Sequence, residues 1–73
     1  SKGTVCITGK LKSYKTKALA KNTLTALGYG VKSSLTKDVT ILVNESGVES
    51  AKTKKARDSG VQIITNLLDL TGE

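Results

Sequence analysis

A hydroxyl and a glycine stand together at Thr8-Gly9, directly after the apolar run Val5-Cys6-Ile7, and Ser50-Ala51-Lys52 opens a later polar segment. These residue types suit one kind of chemistry, the holding of an oxyanion. A hydroxyl and a glycine amide donate to it, a lysine neutralises it, and a helix N-terminus adds free amides and a favourable dipole. The same Thr8-Gly9 pair also suits an ordinary strand end, and Lys52 a solvated lysine. Other chemistries lack their parts. The chain has no histidine, and its one cysteine, Cys6, lies mid-run, where a thiol reads as a small buried hydrophobe. Asp38 and Asp58 flank expected element boundaries and Glu49 reads as a helix cap, so no two carboxylates are spaced as a general acid and base. No cluster of metal-ligating types exists; Gly9-Lys10 lacks the rest of a phosphate-binding P-loop, and Gly28-Tyr29-Gly30 follows a helix instead of preceding one. The expectation is a non-enzymatic chain that needs neither cofactor nor metal.

Charge points to the partner. The net charge of +6 is divided unevenly: residues 1–37 carry Lys2, Lys10, Lys12, Lys15, Lys17, Lys21, Lys32 and Lys37 and no acid, whereas residues 38–73 hold every carboxylate. A field of one sign over half of a small domain favours a polyanion such as nucleic acid, although a basic face also serves solubility alone. Lys10, Lys12, Lys15, Lys17 and Lys21 are the residues expected to touch DNA backbone phosphates, contacts that position a protein without reading sequence.

These residues need a scaffold. Thr4-Val5-Cys6-Ile7-Thr8 is β-branched, nearly continuously apolar and ended by Gly9, as in a strand covered on both faces. A lysine-rich loop over 10–15 precedes a helix from Thr16 to Leu27, with Thr16 as N-cap, Gly28 just past the end, and Ala20, Leu24 and Leu27 on one stripe. Val31-Lys32-Ser33 and Val39-Thr40-Ile41-Leu42-Val43 read as strands. Ser46-Gly47-Val48-Glu49 fits a capping box ahead of a second helix over about 50–59, which Gly60 ends. Val61-Gln62-Ile63-Ile64 is a fourth strand, and Thr65-Asn66 can cap a short helix through Leu70. The order β-α-β-β-α-β-α predicts an α/β fold with a four-stranded, largely parallel sheet and helices on both faces. Its core is expected from Leu24, Leu27, Ile7, Ile41, Val43 and Ile63, with Cys6 inaccessible.

At 73 residues the chain makes one domain, whose abrupt start at Ser1-Lys2-Gly3 suggests a module excised from a larger protein. Such a domain buries about 60% of its unfolded surface. With no Trp or Phe and only Tyr14 and Tyr29 as aromatics, its interior must be aliphatic. No apolar stretch is long enough for a membrane span, the residues ahead of the first strand lack the basic and apolar regions of a signal peptide, and one cysteine leaves no disulfide framework; a monomer in a reducing intracellular compartment is expected.

The ordered motifs resemble a BRCT domain over nearly the full chain. Val5-Cys6-Ile7-Thr8-Gly9 resembles the family's first strand and Leu27-Gly28-Tyr29-Gly30-Val31 its glycine junction. Thr36-Lys37-Asp38-Val39-Thr40-Ile41-Leu42-Val43 is similar to the run into the third strand. Ser50-Ala51-Lys52 followed by Lys55-Ala56-Arg57-Asp58-Ser59-Gly60-Val61-Gln62-Ile63 is similar to the second helix and fourth strand. Within the family, the segment from Leu42-Val43-Asn44-Glu45 to Gly60-Val61 looks closest to the C-terminal BRCT domain of NAD-dependent DNA ligases. The resemblance implies strand order 2-1-3-4, with the first and third helices on one face and the second on the other. It also implies a non-catalytic module of replication or repair proteins, working in the bacterial or phage cytoplasm if ligase-derived and otherwise in the nucleus. In phosphate-binding members the pocket falls at positions matching Thr8, Gly9 and Lys52, with Ser50 bracing the lysine. Two features depart from the pattern. The tryptophan common in the last helix is missing, so Leu67, Leu68 or Leu70 must fill its place. A single domain also lacks the groove between tandem repeats with which phosphopeptide readers work, which favours DNA, or a repair or replication protein, as partner.

The acid-free half of the chain generates a first prediction. If about four phosphates are neutralised, the logarithm of the DNA-binding constant falls with a slope near −3.6 against the logarithm of salt concentration. A titration over low to moderate salt checks it; a constant unchanged over that range excludes the electrostatic reading.

Overall fold

The computed structural model describes residues 2–72; Ser1, at the abrupt start noted in the sequence, and Glu73 lie outside the described residues. The elements are β1 (Thr4–Thr8), α1 (Lys17–Ala26), β2 (Gly30–Lys32), β3 (Ile41–Asn44), α2 (Ala51–Asp58), β4 (Gln62–Ile64) and α3 (Leu68–Thr71). All neighbouring strands pair in parallel in the order β2-β1-β3-β4, with Val5 opposite Val31 and Ile41, and Thr8 opposite Asn44. The fold is therefore the expected α/β architecture, and strand ends differ from expectation by a residue or two, as helix and strand boundaries commonly do.

Alternation along the strands sorts the interior into two unequal clusters. Val5, Ile7, Ile41, Val43 and Ile64 meet Ala20 and Leu24 of α1 and Leu67 at the start of α3. On the other face Cys6, Leu42 and Val39 meet Ala56 of α2. Two expected core members move. Ile63 is half-buried against the α2-side cluster, because the period of two sends Ile64 into the main core and its neighbour to the opposite face. Leu27 is only half-buried, because it is the C-cap of α1, past the turns from which Ala20 and Leu24 face the core. Leu67, fully buried, fills the core beneath the short last helix, and Leu70 packs beside it.

Both long helices end alike. At α1 the amide of Gly28 bonds Thr25 O (3.1 Å) and that of Tyr29 bonds Leu24 O (3.0 Å), a Schellman closure that needs the φ of +99° at Gly28. At α2 the amides of Gly60 and Val61 bond Arg57 O and Ala56 O in the same way. Thr16 caps α1 as expected, accepting from Leu19 N at 3.1 Å. The expected capping box at 46–49 does not form. Ser50 is the N-cap of α2 and accepts from Thr53 N, while Glu49 pairs with the Arg57 guanidinium through both carboxylate oxygens. A box there would start the helix four residues early, but Gly47 adopts φ +77°, and Val48 and Glu49 remain outside the helix.

Burial generates the stability prediction. Leu24→Ala empties a site with no solvent exposure and is expected to cost roughly 2–5 kcal/mol, whereas Leu27→Ala costs markedly less. Urea unfolding of the two variants checks the order; equal losses contradict the packing described.

Candidate phosphate site and its basic surround

Thr8 ends β1 on the face shared with Cys6, the α2 face, and it is 9% exposed. Its hydroxyl forms no hydrogen bond with any described residue and remains open to solvent. Its register partner Asn44 is fully engaged: Asn44 Nδ2 donates to Val48 O (2.8 Å) and to Thr53 Oγ1 (2.9 Å), and Asn44 Oδ1 accepts from Ser46 Oγ (2.8 Å). Thr53, 2% exposed, in turn bonds Ser50 Oγ at 2.9 Å. This chain of amide and hydroxyl groups ties the end of β3 to the first turn of α2 and satisfies the polar groups buried there.

Gly9 has a steric reason to be glycine. Its φ is +71°, and a Cβ would lie 3.0 Å from Ser46 Oγ and 3.2 Å from Ser46 Cβ, so a side chain would push against the polar network. Ser50 spends its hydroxyl on the N-cap and on Thr53, and no bond braces Lys52. The Lys52 ammonium instead reaches Ser33 O, at 3.5 Å, just past the end of β2. Because β1 lies between β2 and β3, a side chain from the start of α2 that reaches Ser33 crosses the carboxyl end of β1, where Thr8 sits. Lys17 approaches from the α1 side. Burial pushes the Cys6 thiol above its ordinary pKa, while the Lys52 and Lys17 ammonium groups, on opposite faces of the sheet, pull it down. Thr8, Gly9 and Lys52 thus share one edge, with Ser50 set back as the helix cap.

The expected DNA-contacting lysines divide. Lys10, Lys15 and Lys17 line a cleft of about 410 Å³ with Gly9 and Leu11. Lys17 and Lys21 continue into a groove of about 170 Å³ with Lys32, Ser33 and the apolar floor Ile7 and Val31. Lys12 is separated from this strip and borders a depression with Glu45, Thr65 and Asn66. Two cations that sequence reasoning did not assign to the backbone, Lys32 and Lys52, belong with the strip. Lys32 was traceable to its place within a predicted strand; the reach of Lys52 to Ser33 had no sequence signal. Among the described residues the one carboxylate paired with the strip is Asp38, 3.8 Å from Lys32 Nζ and exposed.

Glu45 is the residue that sequence reading missed. Only 7% exposed, its carboxylate accepts from Lys12 N (2.7 Å), Ser13 N (2.9 Å), Ser13 Oγ (2.7 Å) and Leu67 N (2.6 Å). Burial pushes its pKa up, but the donors from Leu67, Ser13 and Lys12 outweigh that and hold it at about 2, against an ordinary 4.5. The bonds fix the lysine-bearing loop over 10–15 against the end of β3 and the start of α3.

No protein-family model matches this chain, and no curated protein or solved structure matches it.

The Glu45 geometry generates a pH prediction. A carboxylate whose folded pKa is depressed contributes stability above its unfolded value, and that contribution is lost as pH falls from 4.5 through about 2. The contribution is on the order of 3 kcal/mol. Glu45→Gln is therefore expected to unfold more easily at neutral pH, with the gap to the parent chain closing as pH approaches 2. Denaturant unfolding at several pH values checks this; a gap independent of pH contradicts it.

Proposed function

We propose that this chain is a BRCT-type, non-catalytic module of a DNA ligase-like replication or repair protein, and that it binds DNA through phosphates. In this reading Thr8, Gly9 and Lys52 hold one phosphate, that of a 5′ strand end, and the Lys10, Lys15, Lys17, Lys21 and Lys32 strip follows neighbouring backbone phosphates. The supporting observation is the placement at one sheet edge of the solvent-reaching, unbonded hydroxyl of Thr8, a residue otherwise buried, with lysines carried by helices on both faces of the sheet. A phosphate there gains a hydroxyl donor that no protein group uses and a lysine already held across the strand end. Ser50 supports the site by capping the helix that carries Lys52. The sheet order and the distribution of helices also agree with what the BRCT resemblance implies. Among the described residues no helix is long and apolar enough to cross a membrane, and no group of acidic, histidine or cysteine side chains could hold a metal ion. An intracellular, cofactor-free role belongs to this proposal.

Binding of duplexes with and without a 5′-phosphate tests it. Lys52→Ala is expected to weaken binding of the phosphorylated end by about 1.5–3 kcal/mol more than that of the unphosphorylated one. Thr8→Val, which keeps the shape and removes the donor, is expected to do the same without changing the salt slope. Lys15→Ala in the exposed loop should weaken both duplexes equally; Lys17 is a poorer control, because it lies close enough to the end of β1 to act on Cys6. Equal losses on both duplexes for Lys52→Ala overturn the phosphate site.

A further inference from the structure

At the opposite end of the sheet, the amino end of β3 and β4, a groove of about 490 Å³ opens beside α2. Its apolar lining is Leu35, Val39 and Val61, and Lys37 and Lys55 stand at its rim. The groove has a structural cause. The residues that α2 turns inward, Thr53 and Ala56, are small, so the cluster on this face is thinly covered and leaves Leu35 and Val61 half-buried around the buried Val39. No carboxylate lines it, and neither Lys37 nor Lys55 forms an ion pair with a described residue.

From this we propose that the groove docks an acidic peptide segment of a partner protein, with one aliphatic side chain seated on Leu35, Val39 and Val61 and flanking carboxylates on Lys37 and Lys55. The volume falls in the range of sites that enclose a small ligand group. An apolar floor distinguishes this place from the lysine strip, since a phosphate backbone gains nothing from covering Leu35 and Val61, whereas a branched side chain gains from every apolar area removed from water. The complementary charge is equally specific: two unpaired cations flank the apolar floor and favour acids on either side of the anchor. Lying at the amino end of the strands, the groove is independent of Thr8 and Lys52 at the carboxyl end, so DNA and the peptide would bind together. The inference goes beyond the phosphate reading and does not depend on it.

The test is an amide-shift titration of the isotope-labelled chain with the heptapeptide Asp-Glu-Asp-Leu-Asp-Glu-Asp, acetylated and amidated. Shifts are expected over residues 35–40 and 59–61, and replacing the central leucine of the peptide by serine should weaken binding at least about tenfold. Lys37→Gln with Lys55→Gln, both exposed changes that leave the core intact, should weaken the peptide about fivefold and leave binding of a 5′-phosphorylated duplex within about threefold. Shifts spread instead along Lys10, Lys17 and Lys21, equal binding of the serine peptide, or no shifts at millimolar peptide would each overturn the proposal. Competition by the duplex for residues 35–40 would overturn it too, by giving the groove to nucleic acid. A failed phosphate-end experiment would leave these outcomes unchanged, so the two proposals fail separately.

Discussion

The buried carboxylate of Glu45 is the constraint on which the described structure depends most widely. It stands one residue past β3, and its four donors come from the loop after β1 and from the start of α3. A short strand cannot by itself hold a polar loop and a one-turn helix in place; an anion with converging amides can, because each charge-assisted bond is stronger than a neutral one and leaving the charge unpaired would be costly. The loop so held is the one that carries Lys10 and Lys15 to the edge of the sheet. The charge distribution of the first half of the chain therefore becomes a shaped surface only through a carboxylate in the second half.

The two faces of the sheet are stabilised by different means. Under α1 and α3 the contacts are aliphatic, with Leu24 and Leu67 fully enclosed. Under α2 the inward residues are Thr53 and Ala56; Ala56 packs on Cys6, Val39 and Leu42, and Asn44 at the end of β3 donates to Thr53 Oγ1, which also bonds the N-cap Ser50. The polar docking has two consequences. It organises the carboxyl end of the sheet, where Ser46 stands against Gly9 and the helix start carries Lys52 to Ser33 O. It leaves the amino end thinly covered, which opens the groove beside Val39 and Val61. One choice of small, polar residues in α2 thus shapes both candidate surfaces.

Cations are placed differently at these two ends. At the carboxyl end Lys17 and Lys52 approach the same strand from opposite faces, and their combined field is felt by the buried thiol of Cys6. At the amino end Lys37 and Lys55 stand apart from that field beside apolar side chains. A domain of net charge +6 can in this way offer two anion-favouring surfaces of different chemical character.

Periodicity determined much of the architecture without help from tertiary contacts. Short apolar β-branched runs, a helical stripe through Ala20 and Leu24, and glycines at 28 and 60 were legible because strand propensity, helix pitch and Schellman closure are local. The Thr8-Gly9 and Ser50-Lys52 pairs were legible as residue types at element ends, and the fold brings Thr8, Gly9 and Lys52 to one edge. Tertiary structure alone decided the rest. Glu45 looked like an ordinary carboxylate, because its donors are 22 to 33 residues away in the chain. Ser46–Glu49 looked like a capping box, because local pattern does not reveal that Arg57 and Asn44 compete for the same groups. Leu27 and Ile63 looked like core residues, because hydrophobicity states only that burial is favourable. Which apolar side chain receives it depends on where the helix ends and which face of the pleat the sheet presents, and both are properties of the packed molecule.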